Sequence, residues 1–479
     1  MSFKARVLAG ALLLATQPLL GAAAAGQPAA PLAASFPFCA WWTETTATSL
    51  NVAFPDANAA YWTTPFLVTP DLVSVTVSGQ YADARYFSVN AYNNGGASYT
   101  CGTANTPSGI ADFLIAPDSG SQNPFQTNAA PGGRYTVTLA RSAAGASAQN
   151  AIPLYEYPGC QPAPTPGALP STLSFLILRA YLPHDGFASV PLPDLTLHFA
   201  DGHSVALPRC RGATLASAAT PAEAVPDWAY ALRQLLAAGD LLGARPPGAQ
   251  PCGHPGAPAC PPELTFFRPP ESATGGLFPN VDNKYVAALV QPKPESVVVI
   301  RAKAASFPPG MQAAPWNPQA TELRYWSLCS NIYRRPWPVV VVNEGDQTIL
   351  GCVPDLATKQ DSGGFYTYVV SHVRDKPSDA ALAASSATWL PFSNTQPYAR
   401  HLMILRNMLG ADFPYSVQNC AAGTDPASIA ACKASMAEYY PEVAECRART
   451  FEAGGTAACF QEYELAATAD PVSTAPASK

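Results

Sequence analysis

Two stretches of this 479-residue chain repeat one another block by block, in the same order and at nearly the same spacing. Such self-similarity is the signature of a duplicated structural unit. We therefore expect two homologous domains, over residues 26–190 and 278–417, each of ordinary domain size. The matching blocks are Phe54-Pro55 and Phe278-Pro279, Arg85-Tyr86 and Arg324-Tyr325, Pro117-Asp118 and Pro354-Asp355, Gly132-Gly133 and Gly363-Gly364, and Ile177-Leu178-Arg179 and Ile404-Leu405-Arg406.

The repeated segments have the pattern of β-strands. Residues 73–77 and 135–139 alternate apolar with polar side chains, and residues 296–300 are rich in β-branched residues. Turn-forming Pro, Gly, Asn and Asp bound these short runs, which favours antiparallel sheets over an α/β fold. The predicted fold is mainly β, with two tandem antiparallel β-sandwich domains of the jelly-roll type.

The predicted connecting region covers residues 191–277 and has three parts. Residues 195–200 and 203–207 flank Asp201-Gly202, which predicts a β-hairpin with a two-residue turn. Asp227 is placed to cap a helix that follows it. The third part is a loop rich in Pro and Gly that contains Cys252 and Cys260, and we expect a disulfide to close it.

The composition changes after the second copy. Residues 418–466 are predicted to form a helical hairpin that begins near Asp425-Pro426. Antiparallel helices would join Cys420 to Cys459 and Cys432 to Cys446. Residues 467–479 are predicted to be a flexible tail.

Residues 1–25 resemble a secretory signal peptide, with Lys4 and Arg6 before an apolar run and small residues at 23–25. The 12 cysteines all follow this segment, and no Cys-x-x-Cys pair points to zinc. We therefore expect six disulfides and a secreted or periplasmic protein with no membrane span after signal cleavage. The remaining expected pairs are Cys329 to Cys352, Cys39 to Cys101, and Cys160 to Cys210.

The charge balance excludes one class of partner. Only 13% of residues are charged and the formal net charge is −6, so the chain has no basic excess with which to neutralise nucleic-acid phosphates. We expect no nucleic-acid partner, no cofactor and no metal.

Three motifs carry a resemblance. Phe54-Pro55-Asp56-x-Asn58, Arg85-Tyr86-Phe87-Ser88 and Pro117-Asp118-x-Gly120-Ser121-x-Asn123-Pro124-Phe125 resemble a family of uncharacterised exported bacterial proteins. Trp389-Leu390-Pro391 resembles a motif in a bacterial domain of unknown function. The second copy departs from the first, with Asn280 in the place of Asp56. The resemblance implies no activity.

Few residues are candidates for catalysis. Asp361-Ser362-Gly363-Gly364 resembles a serine-protease segment, but its glycines match the turn at Gly132-Gly133 and no histidine stands in a matching context. The duplicated acids Asp118 and Asp355 are consistent with the carboxylate pair of a glycoside hydrolase. The alternative, which duplication favours, is that these acids form structural ion pairs with Arg85 and Arg324.

Two further groups are candidates for binding. Trp41, Trp42, Tyr61 and Trp62 cluster in sequence and could stack on a sugar or pack in a core, and Arg85 and Arg324 could contact the same ligand. His198 and His203 are expected on one face of the hairpin, without a third metal ligand.

The sequence thus favours an exported, non-catalytic binding or structural protein whose ligand is unknown and could be a glycan. The alternative is a secreted carbohydrate-active hydrolase that uses Asp118 and Asp355 in a cleft between the two sandwiches.

Overall fold

The computed structural model describes residues 39–69, 71–93, 108–141, 148–154, 173–210, 262–269, 280–334 and 337–469. These residues belong to one compact unit, Pro37–Lys479. The predicted signal peptide, the predicted helix after Asp227, and the cysteines Cys101, Cys160, Cys252 and Cys260 lie outside the described residues.

The first half of the described chain forms two five-stranded sheets, with the orders β1-β2-β8-β4-β5 and β10-β9-β3-β6-β7. Their strands are β1 (Thr43–Thr45), β2 (Ala59–Leu67), β3 (Leu72–Gln80), β4 (Ala84–Asn93), β5 (Ser108–Ala111), β6 (Arg134–Ala140), β7 (Ala151–Pro153), β8 (Leu173–Pro183), β9 (Asp194–Phe199) and β10 (Ser204–Leu207).

The second half forms two four-stranded sheets, β11-β19-β13-β16 and β18-β17-β12-β20, and a separate hairpin, β14-β15. Its elements are β11 (Asn283–Val290), β12 (Ser296–Lys303), β13 (Tyr325–Ile332), β14 (Val341–Glu344), β15 (Gln347–Leu350), β16 (Cys352–Pro354), β17 (Phe365–Ser371), α1 (Asp379–Ala384), β18 (Ala387–Pro391), β19 (His401–Met408), α2 (Pro426–Met436), β20 (Glu442–Arg447) and α3 (Ala448–Ala469).

The two halves share one strand order. The run β2-β8-β4-β5 corresponds to β11-β19-β13-β16, and β9-β3-β6-β7 corresponds to β20-β12-β17-β18. Even the parallel pairing of β6 with β7 recurs between β17 and β18. The predicted mainly β character is confirmed, and this order agrees with the internal duplication.

Strand β12 shows how the sequence produces the packing. Its Val-Val-Val-Ile run alternates between two apolar environments. Val298 and Ile300 face a core shared with the sheet that contains β13 and β19, whereas Val297 and Val299 pack against α3 through Phe451. A strand buried on both faces carries a continuous apolar run rather than an alternating one.

The C-terminal segment differs from the predicted helical hairpin. Residues Glu442–Arg447, between the two helices, form an edge strand that pairs with β12. The predicted pairs Cys420 to Cys459 and Cys432 to Cys446 are wrong. Because β20 separates the two helices, each helix is tied locally instead, by disulfides joining Cys420 to Cys432 and Cys446 to Cys459.

Two other predicted pairings are wrong. Cys39 bonds to Cys210, which excludes the predicted pairs of Cys39 with Cys101 and of Cys160 with Cys210. The backbone of Ala40 bonds at the same place to Pro208 and Cys210, so the ends of the first half are held side by side.

The predicted hairpin is present, but its register is shifted. His198 lies opposite Ser204, so the loop has three residues, and Gly202 takes a φ of 88°. His198 therefore contacts Thr76 and Ser204, whereas His203 stacks on Phe199. A one-residue change of register moves a side chain to the opposite face, so the two imidazoles do not share a face as predicted.

The predicted disulfide between Cys329 and Cys352 is confirmed and joins β13 to β16. The corresponding facing pair in the first half is Asn90 and Gly109, so this strand pairing forms without a disulfide there. We expect the double variant Cys329→Ser/Cys352→Ser to keep its far-UV circular dichroism spectrum and to lose about 3 kcal/mol of unfolding free energy in urea, as loop-closure entropy implies. A lost β spectrum would contradict this equivalence of the two halves.

Candidate functional site

The duplicated arginines meet the aspartates of the opposite half. Arg85 and Arg324 are both buried. Arg85 Nη1 donates to Asp355 Oδ1 at 2.5 Å, and Arg324 Nη2 lies 3.4 Å from Asp112 Oδ2. Arg324 Nε also donates to the carbonyl of Arg85. The ion pairs are therefore exchanged between the halves, so that they join the halves to one another.

Asp112, rather than Asp118, is the counterpart of Asp355. Each of these two residues begins a short 3-10 turn, Asp112–Leu114 or Asp355–Ala357. Each carboxylate accepts the N–H of the following residue and a strand N–H, from Phe87 for Asp112 and from Trp326 for Asp355. The sequence alignment of Asp118 with Asp355 was wrong because the intervening loops differ in length.

Asp118 occupies a different position, which matches that of Asp361. The N–H of each donates to the first carbonyl of the next strand, Arg134 or Phe365. Asp118 is half-buried and accepts a bond from Thr136. Asp118 and Asp355 are therefore not equivalent positions of the two copies.

A second exchange involves the acids that follow the Phe-Pro blocks. The Tyr86 hydroxyl donates to Asp282 Oδ2 at 2.6 Å. In the other direction, the Tyr325 hydroxyl donates to Asp56 Oδ2 at 2.9 Å. Asp56 also accepts from Ser327 Oγ at 2.6 Å. The acid thus occupies position 56 in the first copy and position 282, two places later in the block, in the second.

Burial dominates the electrostatics of these carboxylates. Desolvation raises the pKa of Asp112 and of Asp355 to about 6, against the lowering effects of Arg324 and Arg85 respectively. Both acids are therefore mainly ionised at pH 7. Because neither side chain has solvent-accessible surface, neither can reach a substrate as an acid, base or nucleophile.

The aromatic candidates pack inside the fold. Trp41 and Trp62 are buried, and the Trp41 indole N–H donates to the carbonyl of Pro193 at 2.6 Å. Tyr61 contacts Tyr181 edge to face, and Trp42 is half-buried. Trp41, Tyr61 and Trp62 therefore serve packing in this structure.

The segment around Ser362 is a turn. Asp361 Oδ1 accepts the N–H groups of Gly363 and Phe365, and its Oδ2 pairs with Arg301 at 2.6 Å. Gly364 takes a φ of 77°, which glycine adopts without strain. These contacts account for the Asp-Ser-Gly-Gly sequence without catalysis.

His401 begins β19 and is completely buried. Its Nε2 accepts the N–H of Ser393 and its Nδ1 contacts the carbonyl of Ala399, so the neutral ring carries its hydrogen on Nδ1. Burial lowers the pKa of His401 to about 4, although the Ala399 carbonyl favours the charged ring. The folded protein therefore holds this ring neutral.

This depressed pKa predicts a pH effect on stability. Because the unfolded histidine, with a pKa of about 6.5, binds its proton first, the contribution of His401 is complete above pH 6.5 and decreases toward pH 4, by about 3 kcal/mol in total. We expect the stability difference between wild type and His401→Asn in urea to shrink between pH 7 and pH 4.5. A difference that is constant with pH would contradict the neutral buried ring.

Sequence reasoning missed Asp112 and the roles of Asp56 and Asp282. The sequence does contain a signal for the last two. The first copy has Asp56-x-Asn58 where the second has Asn280-x-Asp282, so the acid lies two positions later in the second copy. Asp112 was missed because Pro117-Asp118 has the same two residues as Pro354-Asp355 and was therefore aligned with them.

Comparisons with known proteins give little beyond this geometry. No protein-family model matches the sequence, and no curated protein matches it. An uncharacterised protein from Burkholderia cenocepacia is similar in structure, with 11% identity, a TM-score of 0.46, and 86% of this chain and 84% of that chain covered. A structural-genomics target from Vibrio parahaemolyticus has 12% identity and a TM-score of 0.35, with 82% and 90% covered.

Both neighbours are uncharacterised bacterial proteins, and neither indicates a catalytic function. At these TM-scores the likeness carries no argument about this chain. Within the described ranges, no helix is both long and apolar enough to cross a membrane. The exported family suggested by the motifs stays a prediction.

Proposed function

We propose that this chain is an exported, non-catalytic binding or structural protein built from two homologous β-sandwich domains in tandem. One observation carries the proposal. The duplicated arginines Arg85 and Arg324 are occupied in buried ion pairs with Asp355 and Asp112, between the two halves. Charges enclosed in this way are not accessible to a substrate, and removing one partner leaves the other buried without compensation.

The packing supports the sandwich arrangement. In the first half, Phe87 of β4 lies 5.7 Å from Tyr135 of β6, ring centre to ring centre, and these strands belong to different sheets. In the second half, both four-stranded sheets contribute to one core, with Trp326 against Tyr366 at 5.3 Å. Two sheets whose inner side chains meet in one core are what a sandwich requires.

Export is supported by cysteine usage. Four disulfides are present among the described residues, and disulfides form and persist in oxidising compartments. The proposed signal peptide at residues 1–25 would direct the chain there.

The hydrolase alternative is not favoured by the geometry. Glycoside hydrolysis uses two carboxylates, about 5 to 10 Å apart, that flank a substrate bond. Asp355 is enclosed by Arg85 and backbone N–H groups, and Asp118 lies at a non-equivalent position.

The test is a turnover assay on purified chain lacking residues 1–25, with chromogenic glycosides, polysaccharides and esters. We expect no turnover above a heat-denatured blank. Any turnover above that blank would overturn the proposal, and its loss in Asp118→Asn, in a variant with unchanged melting, would assign the activity to that carboxylate. Exposed Asp185→Asn is the matched control, because it removes one surface carboxylate elsewhere.

A further inference from the structure

A surface groove of ≈410 Å³ lies on the second half, where the C-terminal segment joins the fold. Its volume is within the range of about 300–1,000 Å³ typical of small-molecule sites. Its walls are the turn before β12, the segment after β17, and the junction of β20 with α3. The lining is mostly charged and consists of Glu295, Arg374, Asp375, Lys376, Pro377, Arg447, Ala448, Arg449 and Glu452.

Hydrogen bonds hold these walls together. The N–H of Ala448 donates to the carbonyl of Glu295 at 2.8 Å, and the N–H of Glu295 donates to Asp375 Oδ2 at 3.2 Å. On the other side, the N–H of Ser378 donates to Glu452 Oε2 at 2.9 Å. The groove is therefore formed before any ligand arrives, which lowers the entropy cost of binding.

Most charges of the groove already have partners. Arg374 lies 3.4 Å from Asp375, and Glu452 is bound by Ser378. Two other cations pair with acids beyond the lining, Lys376 with Asp379 at 3.1 Å and Arg447 with Glu462 at 3.2 Å. These charges need no ligand.

Two charged side chains differ from the rest. Glu295 and Arg449 are exposed, and neither side chain makes an ion pair or a hydrogen bond with any residue that the structure describes. They are also not paired with each other. The groove thus offers one carboxylate and one guanidinium that no protein group compensates.

The backbone at Glu295 supplies an independent observation. Its φ is 57°, in the left-handed region, although it is not glycine. Such a conformation is uncommon for a residue other than glycine and persists only where the surrounding structure enforces it. The two backbone bonds to Ala448 and Asp375 hold this conformation, which places residue 295 on the groove.

We propose that the groove binds the charged ends of a zwitterion, a free amino acid or a short peptide. Arg449 receives the carboxylate, for which the planar guanidinium is suited. Glu295 receives the ammonium group. A purely anionic ligand would be repelled by the carboxylate of Glu295, and a purely cationic one by the guanidinium of Arg449. Only a zwitterion pairs with both side chains. This inference rests on the proposed binding role, since it names the ligand class of that role.

The probe is alanyl-alanine, titrated by calorimetry into the chain at low ionic strength, where charge pairing is least screened. Free alanine is titrated in parallel and distinguishes an amino-acid ligand from a peptide ligand. We expect saturable binding of at least one of the two. N-acetylation or C-terminal amidation of that ligand should each weaken binding about tenfold or more.

Variants assign each end of the ligand. Glu295→Gln should remove the preference for a free ammonium while leaving the preference for a free carboxylate. Arg449→Gln should do the reverse. Arg134→Gln and Glu344→Gln change exposed side chains outside the groove and should alter neither preference.

Absence of saturable binding by wild type, or preferences that survive in Glu295→Gln and Arg449→Gln, would overturn the inference. Neither result changes the outcome expected in the turnover assay. A protein that binds no zwitterion and turns over no substrate would lose this ligand class and keep the proposed non-catalytic function, whereas turnover would remove that function itself.

Discussion

Asp355→Ala and Asp112→Ala should each lower the free energy of unfolding by about 3 to 5 kcal/mol in urea at pH 7, the cost of leaving a buried charge without its partner. Asp355→Ala leaves Arg85 uncompensated, and Asp112→Ala does the same to Arg324. The loss should be somewhat larger for Asp355, because its ion pair is shorter, at 2.5 Å against 3.4 Å.

The matched control is Asp118→Ala, which removes a half-buried carboxylate with one long bond to Thr136 and should cost less than about 1 kcal/mol. The double variant Arg85→Met/Asp355→Leu should recover much of the loss, because an apolar pair can replace a buried ion pair. Catalytic carboxylates behave differently, since their removal commonly leaves stability unchanged or raises it. Unchanged melting of Asp355→Ala would therefore contradict the structural role.

Asp56→Ala should also cost about 3 to 5 kcal/mol. This fully buried carboxylate accepts bonds from the hydroxyls of Tyr325 and Ser327 and from the N–H of Asn58, and Arg406 lies 3.9 Å away. Removing it leaves several buried donors without an acceptor.

Asp282→Ala is the comparison variant, because Asp282 accepts from Tyr86 in the same way but is only partly buried. We expect its loss to be smaller, about 1 to 3 kcal/mol. Equal or greater destabilisation by Asp282→Ala would show that burial does not set the strength of these contacts. Both values come from the same urea titrations.

Local patterns predicted the strands well because the apolar alternation and the turn residues act over a few positions. The alternating run at 73–77 lies in β3, and the β-branched run at 296–300 lies in β12. The hairpin shows the limit of this reasoning. Asp201-Gly202 is compatible with two-residue and three-residue loops. The structure has the three-residue loop, in which the N–H of Phe199 donates to the carbonyl of His203 and the N–H of Ala200 donates instead to the carbonyl of Asp71.

Contacts between the halves could not be predicted in the same way. Arg85 and Asp355 are 270 positions apart, and in a duplicated chain each arginine has two equivalent aspartates available. Sequence similarity does not distinguish a pair within one copy from a pair exchanged between copies. The two disulfides predicted within the C-terminal segment are wrong for a related reason, since β20 separates the two helices and is an edge strand only because β12 accepts it.

The exchanged ion pairs are expected to join the two halves into one cooperative unit. The direct test is hydrogen–deuterium exchange, followed by mass spectrometry across a urea titration, on peptides from β3 in the first half and β12 in the second. Interfaces between domains of one chain usually permit independent behaviour, so the result is informative. We expect both peptides to lose protection at the same urea concentration in wild type. Clearly separate midpoints for the two strands would contradict it.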